Sequence, residues 1–199
     1  MKSALSGLKV GEILAKCENK ARDLVNAPSN KITPEYMADY AKKMAKENKL
    51  KIEILDPKKE KMEALWAIAK GSIMEPKVVV LWHKGGGVKD PLIALIGKGI
   101  TFDSGVISIK PSMRMWEMKT DMAGAAAVIE AMRAISALKI KKNIVAIIPV
   151  CENMPDAGAL KPGDVVGSLD GTTIEIISTD AEGRIILADA ITHAKNIGA

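Results

Sequence analysis

Leu92-Ile93-Ala94-Leu95-Ile96-Gly97-Lys98-Gly99-Ile100-Thr101-Phe102-Asp103-Ser104-Gly105 is the stretch on which the fold turns. Its first six residues form a short, continuous apolar run, the pattern of a strand buried on both faces. Val78-Val79-Val80-Leu81-Trp82 and Ile144-Val145-Ala146-Ile147-Ile148-Pro149-Val150 repeat that pattern, and Gly85-Gly86-Gly87 makes a turn between the first two runs. Lys51 to Leu55 and Thr173 to Ser178 alternate, as half-buried strands do. Between these strands lie helical patterns: Val10 to Leu24, a helix opened by Thr33-Pro34-Glu35, Asp56-Pro57 to Lys70, Asp121 to Leu138, and Gly183 to Asn196. Thr33 is placed as an N-cap with Pro34 at the first helical position, and Met37, Tyr40, Ala41 and Met44 form an apolar stripe behind it. Strands alternating with helices predict one α/β domain over residues 1–199, with a mostly parallel sheet flanked by helices on both faces.

The composition fits a packed domain. Hydrophobic residues make up 48% and charged residues 27% of 199 residues, which excludes a disordered tail or a coiled-coil rod. Aromatics are only 3%, so the core rests on Ile, Val, Leu, Ala and Met. No run is long and apolar enough to span a membrane, and residues 1–7 lack the apolar stretch of a signal peptide. Cys17 and Cys151 stand far apart with no Cys or His partner nearby, so two buried thiols in a reducing, cytoplasmic setting are expected. The formal charge of +5 comes largely from lysines between Lys42 and Lys61. No aromatic residues interleave with them to stack bases, so a solvated face is expected and nucleic acid is not an expected partner.

Three segments put polar groups at strand ends, where open α/β sheets hold ligands. In the first, Lys98 lies between two glycines at the end of an apolar strand; it either snorkels to water or meets anions or a metal. In the second, Asp121 stands where it could cap the long helix or point into a cleft. In the third, Asp180, Glu182 and Arg184 share a face if the segment is extended, or open a helix with acidic first-turn residues. With Asp103, the set holds four carboxylates and one amine. Close carboxylates repel one another unless cations neutralise them. Two divalent ions (Zn2+, Mn2+, Mg2+ or Co2+) would do so, and such a pair is hydrolytic machinery.

These residues sit in blocks whose order matches a known pattern: Gly97 to Gly105, Ile109-Lys110-Pro111, Met118 to Ala126, Glu152-Asn153-Met154, Asp170-Gly171 and Thr179-Asp180-Ala181-Glu182-Gly183-Arg184. Over about residues 10 to 199 the chain resembles the cytosol (leucine) aminopeptidase family. The resemblance implies a metal-dependent exopeptidase that removes N-terminal amino acids from peptides. It implies Lys98, Asp103, Asp121, Asp180 and Glu182 as ligands of a two-metal centre, with Asp103 and Glu182 bridging and Lys98 bound as a neutral amine. Mn2+ or Zn2+ are its first choices of ion. Lys110 would stabilise the carbonyl oxygen, and Arg184 would hold bicarbonate as general base. A homo-oligomer or a complementary chain is the implied partner, beside the peptide substrate.

Two departures accompany the match. Where the family usually carries a second glycine after Asp-Ser-Gly, this chain has Val106; a positive φ there would cost about 1–2 kcal/mol. Relatives are also longer at both ends. The sequence therefore leaves a second expectation standing: a truncated or split, catalytically inactive fragment that keeps metal binding or interaction surfaces.

Overall fold

The computed structural model describes residues 2–199. The apolar run around Ile147 becomes its longest strand, β5 (Asn143–Asn153), and the other strands of the main sheet are arranged around it. On one side β2 (Lys77–Lys84) pairs antiparallel with β5, and β1 (Lys51–Leu55) pairs antiparallel with β2 at the edge. On the other side lie β3 (Leu92–Ile96) and β4 (Gly99–Asp103), both parallel to β5. β3 takes Asn143 to Ile147, while β4 takes Val150 to Asn153. The stretch from Leu92 to Asp103 is thus one path along β5, interrupted at Gly97-Lys98.

That interruption has a cause in packing. A Cβ on Gly97 would lie 2.7 Å from the Gly124 carbonyl oxygen, so only glycine lets the next helix come this close. The Lys98 carbonyl turns out of the ladder and accepts the Ala125 N–H at 2.8 Å. Lys98 is therefore held where the strand breaks.

The α/β class with helices on both faces is found, but the sheet is mixed. Four strands run in one direction and β2 alone against them, so two of the four pairings are antiparallel. The link from β1 to β2 carries only the short helix α3 (Glu63–Ala69), about 10 Å long at 1.5 Å per residue. It does not return the chain to the far end of the sheet, as a parallel crossover must. Alternation along β5 splits the core: Ile144, Ala146, Ile148 and Val150 face one side, and Val145, Ile147 and Cys151 the other. The first layer is built from α1 (Lys2–Asn26), α2 (Pro34–Glu47) and α4 (Ala123–Ala137). The second is built from α3 and α5 (Glu182–Asn196). Cys17 and Cys151 are buried free thiols, as expected. No helix among the described residues is long and apolar enough to cross a membrane.

Two local expectations are corrected. Helix α3 starts at Glu63 rather than at Asp56-Pro57, because the chain turns through Lys61 at φ 57°. Of Thr173 to Ser178, only β7 (Thr173–Glu175) is a strand; it pairs with β6 (Val165–Gly167) in a separate ribbon. Ile176 then turns inward to the core and Ile177 outward to solvent.

Candidate metal centre

Lys98 Nζ stands 2.7 Å from Asp121 Oδ1 and 2.7 Å from Glu182 Oε1. The lysine comes from the β3–β4 break, the aspartate from just before α4, and the glutamate from the first residue of α5. Asp103, at the end of β4, completes an acidic triad: Asp103, Asp121 and Glu182 each bring one carboxylate oxygen within 4.8 Å of the other two. A second ammonium joins from the loop after β4. Lys110 Nζ lies 2.8 Å from Asp103 Oδ2 and also pairs with Asp180. Three segments separated in sequence thus converge at the C-terminal ends of β4 and β5, between the N-termini of α4 and α5.

The charges do not balance. Four carboxylates face two ammoniums, leaving two negative charges. Asp121 Oδ2 and Glu182 Oε2 are buried and have no hydrogen-bond partner. A buried carboxylate oxygen with no donor is costly. Burial pushes the Asp121 carboxyl up to about 6, against the pull of the Lys98 ammonium. Burial also works against the charge on Lys98, but its bonds to Asp121 and Glu182 outweigh it and hold the amine above the ordinary lysine range. The same balance holds for Lys110 between Asp103 and Asp180. Each ammonium stands between two carboxylates, which is the electrostatic position of a bound cation. The orphaned oxygens, the excess negative charge and the hard-oxygen donor set all fit divalent metal ions.

Small residues make room for the cage. An added Cβ on Gly183 would lie 2.7 Å from Lys98 Cε, so any larger residue would displace the lysine stem. Gly105 (φ 83°) would place a Cβ 2.5 Å from the Ser108 carbonyl oxygen. Val106 does adopt a positive φ, 58°, and it is buried. Its burial, worth about 1.5–3 kcal/mol, offsets the strain of a β-branched residue there. The loop is tied to the α5 leader by Ser108 N donating to Thr179 Oγ1 (2.9 Å) and Thr179 Oγ1 donating to the Gly105 carbonyl (2.5 Å).

Lys98 does not snorkel; it is the centre of an ion-pair cluster. Asp121 does not cap α4, whose N-cap is Met122 without a side-chain bond. The segment from Asp180 is not extended: Glu182 opens α5, yet its side chain points inward and is buried. Arg184, two residues on and so on the opposite side of α5, is exposed and makes no ion pair among the described residues. Asp180 reaches the cluster only through Lys110. Two contributors were not assigned a role from sequence. Asn153, quoted within a motif block, lies at the end of β5 against Asp103, and Gly183 lies under Lys98. A polar residue closing an otherwise apolar strand was the available signal for Asn153. A cleft of about 680 Å3 lined by Lys49, Lys51, His83, Lys84 and Lys139 lies at the other end of the sheet and contains none of these residues.

A carboxylate–lysine cage at the C-terminal rim of a mixed sheet makes this an α/β domain with a candidate metal centre. The chain belongs to the cytosol aminopeptidase family: the family's catalytic-domain model matches residues 19–199. A "Probable cytosol aminopeptidase" of Herminiimonas arsenicoxydans is 54% identical over 177 residues, covering 87% of this chain and 35% of that relative. Among solved structures, "Bottromycin maturation enzyme BotP in complex with Mn" is similar at TM-score 0.88 and 41% identity, covering 94% of this chain and 41% of that one. The cytosol aminopeptidase of Coxiella burnetii is similar at TM-score 0.84 and 37% identity, covering 89% and 39%. The chain spans 35–39% of the length of the curated relatives it matches.

Proposed function

We propose that this chain supplies the metal-binding half of a site that removes N-terminal amino acids from peptides. The observation that carries the reading is the pair of buried, unpartnered oxygens, Asp121 Oδ2 and Glu182 Oε2, inside a cage with two uncompensated negative charges. Mn2+ is the favoured ion because a similar structure is a manganese complex, with Zn2+ next and Mg2+ or Co2+ as further options. Asp103, Asp121, Asp180, Glu182 and Lys98 would together hold two ions. When bound, such a pair activates water and polarises a substrate carbonyl. Lys98 must give up its proton to ligate, so uptake of the ion releases protons. Lys110, freed from Asp103 and Asp180, would hold the oxygen of the scissile carbonyl by a charge-assisted hydrogen bond. Arg184, exposed in the first turn of α5, would hold a bicarbonate, which would supply a general base. The substrate's free α-amine would add a donor to the site, which restricts cleavage to the chain end. The relatives' name supports a cytoplasmic setting, and a homo-oligomer or a complementary chain would complete the site.

The test is release of an aminoacyl-anilide in Mn2+ or Zn2+, with Asp180→Ala and Glu182→Ala as controls. Metal-dependent release that both variants abolish is expected; release that is metal-independent, or equal in the variants, rejects the reading. A second reading rests on Lys110, which here points at the carboxylates rather than outward. On that reading the chain alone takes up metal without turnover, and turnover by the isolated chain eliminates it. Proton competition gives a further expectation. Asp121 must be ionised to ligate and its carboxyl is raised to about 6. Mn2+ affinity should therefore rise about tenfold per pH unit above that value, through the proton Lys98 gives up, and fall about a hundredfold per unit below it, where Asp121 must lose a proton as well. Calorimetric titrations between pH 5 and pH 8 would check this, and affinity unchanged down to pH 5 would contradict it.

A further inference from the structure

We infer that Asn153 is a positioning residue that sets the metal-facing geometry of Asp103 and of the segment carrying Asp180 and Glu182. The inference rests on the metal-centre reading above. Asn153 is the last residue of β5 and is 1% exposed. Its side-chain Nδ2 donates to Asp103 Oδ1 at 2.7 Å and to the Thr179 carbonyl at 3.0 Å. Both amide hydrogens are thereby used, one on each half of the cage. Its backbone carbonyl accepts Ser104 N at 3.0 Å and Ser104 Oγ at 2.8 Å. One residue therefore joins the end of β4, the loop leading to Lys110, and the approach to α5.

The chemistry at this junction requires a carboxamide. Both partners, a carboxylate and a carbonyl, are acceptors. A side chain of this length that donates two hydrogens without carrying charge is Asn. Asp103 Oδ1 also accepts Gly105 N at 3.0 Å, so that oxygen is committed twice. Oδ2, which faces only the Lys110 ammonium, is left as the oxygen for a cation. Fixing the Thr179 carbonyl sets the backbone one residue before Asp180. Strand pairing does not need this side chain, because β4 and β5 are already joined through their backbones. Groups that orient metal ligands in this way typically carry 10–100-fold in affinity.

The experiment is calorimetric titration of Mn2+ alone into the full chain, with circular dichroism of each metal-free variant to establish folding. The set is the parent, Asn153→Ala, Asn153→Asp and Thr101→Val. Thr101 Oγ1 donates to the Cys151 carbonyl at 3.4 Å, a buried bond between the same two strands that involves no carboxylate. Both Asn153 variants should bind Mn2+ about 10–100-fold more weakly. Thr101→Val should stay within about twofold of the parent. Asn153→Asp separates geometry from charge: an added carboxylate would tighten binding if charge alone mattered, so weakening supports positioning. Folded Asn153 variants that bind like the parent overturn the inference. So does an equal loss in Thr101→Val, or failure of both Asn153 variants to fold while Thr101→Val folds, since the side chain is then a structural tie. A parent that takes up no Mn2+ rejects the metal-centre reading itself.

Discussion

Glu182→Gln should weaken Mn2+ binding by at least about 100-fold, while the metal-free protein melts no lower than the parent. The two halves of this result come from one source. Glu182 is 1% exposed, and one of its oxygens has no partner. It shares its surroundings with Asp103 and Asp121, whose charges repel it. Removing its charge relieves repulsion in the empty cage, and the amide keeps the volume and an acceptor for Lys98. With a divalent ion present the sign reverses, because a charged, centrally placed ligand is gone. Ordinary structural damage lowers both stability and affinity; a ligand under electrostatic strain lowers only the second. Melting with and without Mn2+ separates the two, since bound ion stabilises in proportion to the logarithm of its concentration over the dissociation constant. A Glu182→Gln protein that melts much lower without metal, yet still gains the parent's Mn2+-induced shift, would show a core residue rather than a ligand.

How legible this was in the sequence depends on the scale of the feature. The apolar runs at Val78, Leu92 and Ile144 became β2, β3 and β5, because a strand buried on both faces needs little more than continuous apolar side chains. The cage residues Lys98, Asp103, Asp121 and Glu182 were legible as a set because chemistry demands several charges in one place. Their local conformation was not. Asp121 by itself read as a cap, since a cap and a ligand at a helix start occupy the same sequence position. β4 was hidden because Gly97-Lys98 interrupts its path, and only the approach of Gly124 and Ala125 explains that break. Thr173 to Ser178 alternates like a full strand, yet the strand ends at Glu175, and Ile176, its side chain in the core, closes the ribbon with backbone bonds to Gly163 and Asp164. The direction of β2 followed from the length of α3, which a misplaced helix start concealed. Features set by residues far apart in the chain leave no local pattern to read.

Asp189 is the clearest such feature, and its loss should be the largest single cost to stability outside the apolar core. It lies on α5, two turns beyond Glu182, and is fully buried. Its Oδ2 accepts the Leu65 N–H at 2.9 Å, and its Oδ1 accepts the Leu169 N–H at 2.8 Å. Helix α3 has Met62 at its N-cap, which makes no side-chain capping bond. Asp189 caps it from another helix, and with the same carboxylate it pins the segment leading from β6 to β7. Burial raises the Asp189 carboxyl, and these backbone donors pull against that shift. Asp189→Ala would strand the buried Leu65 N–H and the half-buried Leu169 N–H, at about 1–3 kcal/mol for each group left unsatisfied. A total of about 2–6 kcal/mol is therefore expected in urea denaturation. Asp189→Asn keeps one acceptor and should lose about half as much. The loss should fall on global stability, leaving Mn2+ affinity of the still-folded protein near the parent's, because no atom of Asp189 bonds to a cage residue. A change below about 1 kcal/mol for the alanine variant would mean that water or a shifted backbone satisfies both N–H groups, and that the second layer is not fastened by this carboxylate.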